Sequence, residues 1–205
     1  MELLGLIFAS SICILITEVL KRRFSLPASI TRRVVHVLTA VVAAAAPLFV
    51  SEREIIIVSL LFAAVLWWSH SRGLLSSIHS VERKTFGEVW LPIGIAITAF
   101  LFLPNSVASF QFGVLIMGIS DPIAGFVGET RGKRRLAFLG STKSIEGSAA
   151  FFTSSMLLTA LLIPVFGCHL LLIPLLLTIL EFVLIFGLDN LFLPIAGAFL
   201  AQMFL

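Results

Sequence analysis

Several short blocks of this 205-residue chain collect side chains able to handle phosphate, metal or protons. The densest is Gly118-Ile-Ser-Asp-Pro-Ile-Ala-Gly-Phe-Val-Gly-Glu-Thr-Arg-Gly-Lys-Arg-Arg135. Asp121 before Pro122 is a helix-start signature, a capping carboxylate followed by a proline in the first turn, so an apolar helix is expected to break here and a second to begin. Broken helices in apolar surroundings usually line a polar cavity. Asp121 is then either a cap or a carboxylate that holds metal or phosphate.

Gly125, Gly128 and Gly132 recur at spacings that let a neighbouring backbone or a ligand approach one helical face. The run Gly128-x3-Gly132-Lys133-Arg134 has the wrong spacing for a Walker A loop and no hydroxyl residue after the lysine, so a P-loop enzyme is excluded. The next stretch, Gly140-Ser-Thr-Lys-Ser-Ile-Glu-Gly-Ser148, leads into an apolar run. It sets Lys143 and several hydroxyls at a helix N-terminus, where anions are favoured. The plainer reading is a basic loop in which Ser144 caps the helix and Glu146 complements its dipole. Arg32 and Arg33 can share a helical face with His36, an imidazole able to take a proton from a hydroxyl or bind a phosphate oxygen. Glu82-Arg83-Lys-Thr-Phe-Gly-Glu88 precedes another apolar run and is explained by surface charge alone. Glu181 lies inside an apolar run, where an ionisable group is costly unless it faces a cavity or a partner. Asp189-Asn190 follows it. His70, His79 and His169 have no such context and read as interfacial.

These blocks must be carried by a membrane protein. Hydrophobic residues make up 59% of the chain and charged residues 12%, half the charged share of a soluble domain. Apolar runs cover residues 3–20, 34–50, 55–69, 89–103, 107–119, 147–164, 170–186 and 191–205. They predict an all-α, polytopic transmembrane bundle of about eight spans, seven being the alternative, forming one domain over residues 1–205. If the spans alternate, Arg53 alone of the 14 Lys and Arg residues faces the other side. By the positive-inside rule the basic face is cytosolic and both termini lie outside. The active site is expected on that cytosolic side. Cys13 and Cys168 sit in no metal-ligand or disulfide pattern. The net charge of +3 is explained by topology, and no nucleic-acid partner is expected.

Taken in order, the blocks resemble the polyprenol kinase family, which comprises dolichol kinase, phytol and farnesol kinases and CTP-dependent diacylglycerol kinases. Arg32-Arg-Val-Val-His36 is similar to the family's basic-x-x-His block, and Glu82-Arg-Lys-Thr-Phe-Gly-Glu88 to its Glu-Arg-x-x-x-Gly-Glu block. Asp121 to Gly128 with Gly132-Lys133 is similar to the central Asp-x-x-Ala-x-x-x-Gly block. Lys143-Ser-Ile-Glu-Gly147 is similar to the Lys-Ser/Thr-x-Glu-Gly block associated with CTP. Glu181 and Asp189-Asn190-Leu-Phe-Leu-Pro194 are similar to the C-terminal Glu and Asp-Asn-x-x-x-Pro block. Arg33 stands where the family often has lysine, and Pro122 where a small hydroxyl residue is common.

The resemblance implies transfer of the CTP gamma-phosphate, with Mg²⁺, to a long-chain lipid alcohol such as phytol, geranylgeraniol, a polyprenol or dolichol. It assigns Asp121 and Asp189 to the metal. Lys143 and Lys133 would hold phosphates, with Arg32, Arg33, Gly125, Gly128, Ser144 and Gly147 around the nucleotide. Glu146 would orient Lys143 or the metal's surroundings, and His36 or Asp121 would accept the hydroxyl proton. Glu82, Arg83, Glu88, Glu181 and Asn190 would support the site or meet the substrate. Diacylglycerol is the alternative acceptor. A cytidylyltransferase of the CDP-diacylglycerol synthase type, which would release pyrophosphate, ranks next. A small transporter ranks last, because the polar groups crowd one face instead of running through the membrane's depth.

Overall fold

The computed structural model describes residues 2–72, 86–138 and 141–205. Its helices are α1 (Glu2–Phe24), α2 (Ala28–Ala45), α3 (Glu52–Ser71), α4 (Gly87–Phe102), α5 (Val107–Leu115), α6 (Asp121–Arg131), α7 (Ile145–Leu162), α8 (His169–Val183) and α9 (Asp189–Gln202). A short antiparallel hairpin, β1 (Arg135–Phe138) with β2 (Ser141–Ser144), joins α6 to α7. Each expected apolar run falls on a helix. Glu82 and Arg83 lie outside the described residues, as does His79.

Stretches 3–24, 28–48, 52–71, 107–131 and 145–162 are long and apolar enough to cross a bilayer, while α4 and α8 are shorter apolar helices. Phe100, Leu161 and Phe199 stay largely exposed, a surface suited to lipid and too apolar for water. The interior is built around fully buried Phe110, Phe112 and Phe151.

Two boundaries depart from expectation. α2 begins at Ala28, so Arg32 and Arg33 lie inside the helix, one turn before His36, instead of at its mouth. At Asp121 the helix does not break. Ser120 and Asp121 both keep right-handed helical angles, and helix runs without interruption from Val107 to Arg131. The proline is absorbed differently. A proline at 122 has no N–H and its ring crowds the carbonyl one turn back. The chain widens into a π turn over Ile116–Ser120 just before it. Such widened turns recur at functional sites.

Lipid tails are as apolar as leucine, so helices in a bilayer associate through close packing and not through exclusion from water. The chain obtains that contact from small residues. A side chain on Gly113 of α5 would collide with the Pro194 carbonyl and with Ala198 of α9, and one on Gly197 would lie 3.0 Å from the Gly113 Cα. A side chain on Gly118 would strike Ala40, which brings the π turn against α2. Asn190 completes the arrangement: its Nδ2 donates to the Gly87 carbonyl at 2.8 Å, tying the start of α9 to the start of α4. Gly113→Leu is therefore expected to lower stability by ~1–3 kcal/mol, read as an earlier thermal melt in detergent, whereas Gly5→Leu, with open space around it, should leave the melt unchanged.

Candidate functional site

The ends of α6 and α8 and the starts of α2, α4, α7 and α9 gather at one end of the bundle, beside the hairpin and the basic residues that follow α6. Lys143 on β2 reaches Glu181 in the last turn of α8. Its Nζ lies 2.5 Å from Glu181 Oε1 and also donates to the Glu181 carbonyl. The two side chains are 18% and 7% exposed, a degree of burial at which each charge depends on the other. Only one carboxylate oxygen is used, since Glu181 Oε2 is buried and has no partner among the described residues.

Asp121 lies within electrostatic range of this pair. It feels the carboxylates of Asp189 and Glu181 and the cations of Lys143 and Arg32. Five residues spread over 158 positions in sequence (189 minus 31 counts from Arg32 to Asp189) thus share one charged region. Ser120 Oγ, next to Asp121, is buried and unpartnered among the described residues, as are Ser148 Oγ and Asn190 Oδ1. Native proteins rarely leave such groups unmatched, and where they do a ligand or ion is a common reason. No three carboxylate, imidazole or thiol groups among the described residues converge closely enough to cage a metal alone. Magnesium seldom needs such a cage: it is held by one or two carboxylates while substrate phosphates and water supply the other oxygens. The donor set of Asp121 and Asp189, with unused oxygens nearby, fits that mode.

The remaining expected residues divide between the charged region and its framework. Arg33 turns to α6 and pairs with Glu129, Nη2 to Oε1 2.5 Å. A side chain on Gly125 would approach its guanidinium to 3.1 Å, so that glycine makes room for an arginine. Gly128 and Gly147 bring α6 and α7 together, with the Ala124 carbonyl 2.9 Å from where a Gly147 side chain would begin. Ser144 caps α7 by accepting from the Gly147 N–H at 3.0 Å. Glu146 reaches neither Lys143 nor the Asp121 region. Its carboxylate accepts from the backbone N–H groups of Lys133 and Arg134 at 3.1–3.3 Å and fixes the entry to the hairpin. Lys133 itself is exposed.

Glu88 is the chief surprise. In sequence, surface charge suffices to explain it and His70 lacks context, yet Glu88 is 4% exposed and its Oε1 lies 2.9 Å from His70 Nδ1. The signal available in sequence was its position in the first turn of an apolar helix. His36 is buried as well, with Nε2 unpartnered among the described residues. His169 is exposed and packs against Phe204 with ring centroids 4.9 Å apart. Cys13 and Cys168 are both free.

A phytol kinase from Synechocystis is 29% identical over 198 residues, covering 92% of this chain and 84% of the cyanobacterial one. An uncharacterized protein from Methanocaldococcus jannaschii is 30% identical over 182 residues, covering 83% and 91% of the two chains. The chain belongs to the family of that archaeal protein. Together the two similarities support a phytol-kinase-like family of membrane proteins without singling out a member. No family profile matches the sequence, and no solved structure matches the chain.

Lys143→Ala strands the Glu181 carboxylate in an apolar helix and is expected to cost about 3–5 kcal/mol. Lys143→Ala combined with Glu181→Ala should restore part of that loss, which thermal melts of the single and double variants in detergent will reveal.

Proposed function

We propose that the protein is a multi-pass membrane kinase that transfers the gamma-phosphate of CTP to the hydroxyl of an isoprenoid alcohol, with Mg²⁺, on the side of the membrane bearing the basic loops. The observation that carries this reading is the largely buried Lys143–Glu181 pair with Asp121, Asp189 and Arg32 in electrostatic range. Phosphoryl transfer asks little covalent chemistry of a protein. It needs cations around the triphosphate and a fixed line of attack. The similarity to a phytol kinase favours an isoprenoid acceptor over diacylglycerol.

In this mechanism Asp121 and Asp189 would hold the metal, which would supply positive charge to offset that of the phosphate oxygens. Lys143 holds the phosphate chain, and Glu181 keeps its ammonium in place. Arg32 offers a second cation from α2. The hydroxyl oxygen attacks the gamma-phosphorus, the bond to the bridging oxygen breaks and CDP leaves. The hydroxyl proton passes to His36 Nε2, with Asp121 as the alternative acceptor. Gly125, Gly128, Ser144, Glu146 and Gly147 act as the frame that brings α6, α7 and the hairpin to the nucleotide, and Lys133 is free to reach its phosphates from the exposed side. All eight helical rods, α5 and α6 counting as one, cross the bilayer, and both termini lie on the side opposite the site.

The test is incubation of purified protein with Mg²⁺, gamma-labelled CTP or ATP, and a panel of phytol, geranylgeraniol, dolichol and diacylglycerol. Label should enter an isoprenoid alcohol from CTP and fall by roughly 10²–10³-fold in Asp121→Asn and Asp189→Asn. Pyrophosphate release with a cytidylylated lipid would overturn the kinase reading in favour of a cytidylyltransferase. Omitting Mg²⁺ should abolish transfer, and an undiminished rate with chelator would remove the metal from the scheme.

A further inference from the structure

A cleft runs between α1, α2, α3 and α4, apart from the charged cluster. At the end nearer the basic loops it is lined by His36 and Glu88, and beyond them almost wholly by apolar side chains, reaching Ala46, Ile55 and Ile95 at the far end. Its ionisable groups are thus confined to one end, with the hydroxyls of Ser10, Thr39 and Ser59 the polar groups along the rest. From His36 to Ala46 the α2 axis extends about 15 Å at 1.5 Å per residue. A second groove, between α2 and α6, is lined by Val37, Pro122 and Phe126, but there Arg33 is already engaged by Glu129.

The geometry points to the α1–α4 cleft as the site of the acceptor lipid's tail, with the hydroxyl against His36 and Glu88 and the first isoprene units enclosed. This inference rests on the kinase reading for its direction and adds where the acceptor enters and what selects it. Three observations argue for an amphiphile with a single small polar head. His36 Nε2 is buried with no partner among the described residues. Glu88 is held at the same mouth by His70, 2.9 Å away, so a fixed carboxylate shares the polar end of the cleft with His36. A side chain on Gly118, three residues before Asp121, would lie 3.5 Å from the His36 carbonyl, which places the mouth beside the helix that carries Asp121. A chain longer than the cleft continues into the bilayer, so selection acts on the units near the hydroxyl and little on total length.

The experiment uses a farnesol analogue with a diazirine on its terminal isoprene unit, cross-linked to the full-length protein in nanodiscs without nucleotide and mapped by mass spectrometry. Labels are expected on cleft-lining residues such as Leu6 and Ile55 and should be displaced by excess phytol. Ser59→Phe, which fills the cleft from a half-buried position on α3, should cut that labelling by about tenfold without moving the thermal melt. Displaceable labels at Val37 and Phe126 instead, or labelling that phytol never displaces, would overturn the inference. The two readings fail separately. Turnover of phytol with labels in the α2–α6 groove sinks the cleft and leaves the kinase, whereas displaceable cleft labels with no turnover of any nucleotide leave the cleft as a lipid-alcohol site and sink the kinase.

Discussion

An ammonium and a carboxylate buried together at the end of an apolar bundle set the terms for the rest of this structure. Neither Lys143 nor Glu181 is tolerable there alone, since an unpaired charge away from water is expensive. Their contact at 2.5 Å ties the hairpin between α6 and α7 to the end of α8. Much of the surrounding geometry serves to make that reach possible. Glu146 fixes the turn into the hairpin, Ser144 ends the strand by capping α7, and the register sets Lys143 opposite Leu136. One oxygen of Glu181 remains unused, so the pair is partly committed to structure and partly available to a ligand.

The second constraint is the absence of a hydrophobic drive between helices in lipid. Close approach must come from side-chain shape, and the contacts of Gly113 with Ala198 and of Gly118 with Ala40 supply it near the middle of the bundle. The π turn gains from the same device. It passes the proline at 122 without breaking the helix, so Asp121 is presented from the wall of a continuous rod. A rigid support of that kind suits a group that must hold its position while charge moves next to it.

The helices were legible because the bilayer leaves the backbone few choices: an apolar run there must satisfy its own hydrogen bonds, and a helix does so locally. The hairpin was not legible, since Arg135 to Ser144 shows no alternation of polar and apolar residues over the length that marks a strand. The expected break at Asp121 failed because a proline in the first turn of a new helix and a proline after a π turn leave the same trace in sequence. For the site, the types of residue were readable and the pairings were not. Lys143 meets Glu181 across 38 positions and His70 meets Glu88 across 18, and no local pattern encodes either contact.

The helix lengths carry a consequence for the membrane itself. α4, α8 and α9 have 16, 15 and 14 residues, about 21–24 Å of rise, whereas α1 has 23, about 35 Å. α9 packs on α4, α5 and α8, while α1 packs chiefly on α2. In the eight-span arrangement proposed above, one flank of the protein would match a hydrocarbon layer of ordinary thickness and the other a thinner one. Lipids along the short flank would then compress or be drawn from species with shorter tails. The protein should accordingly carry an asymmetric lipid annulus and prefer thin, fluid regions of its host membrane.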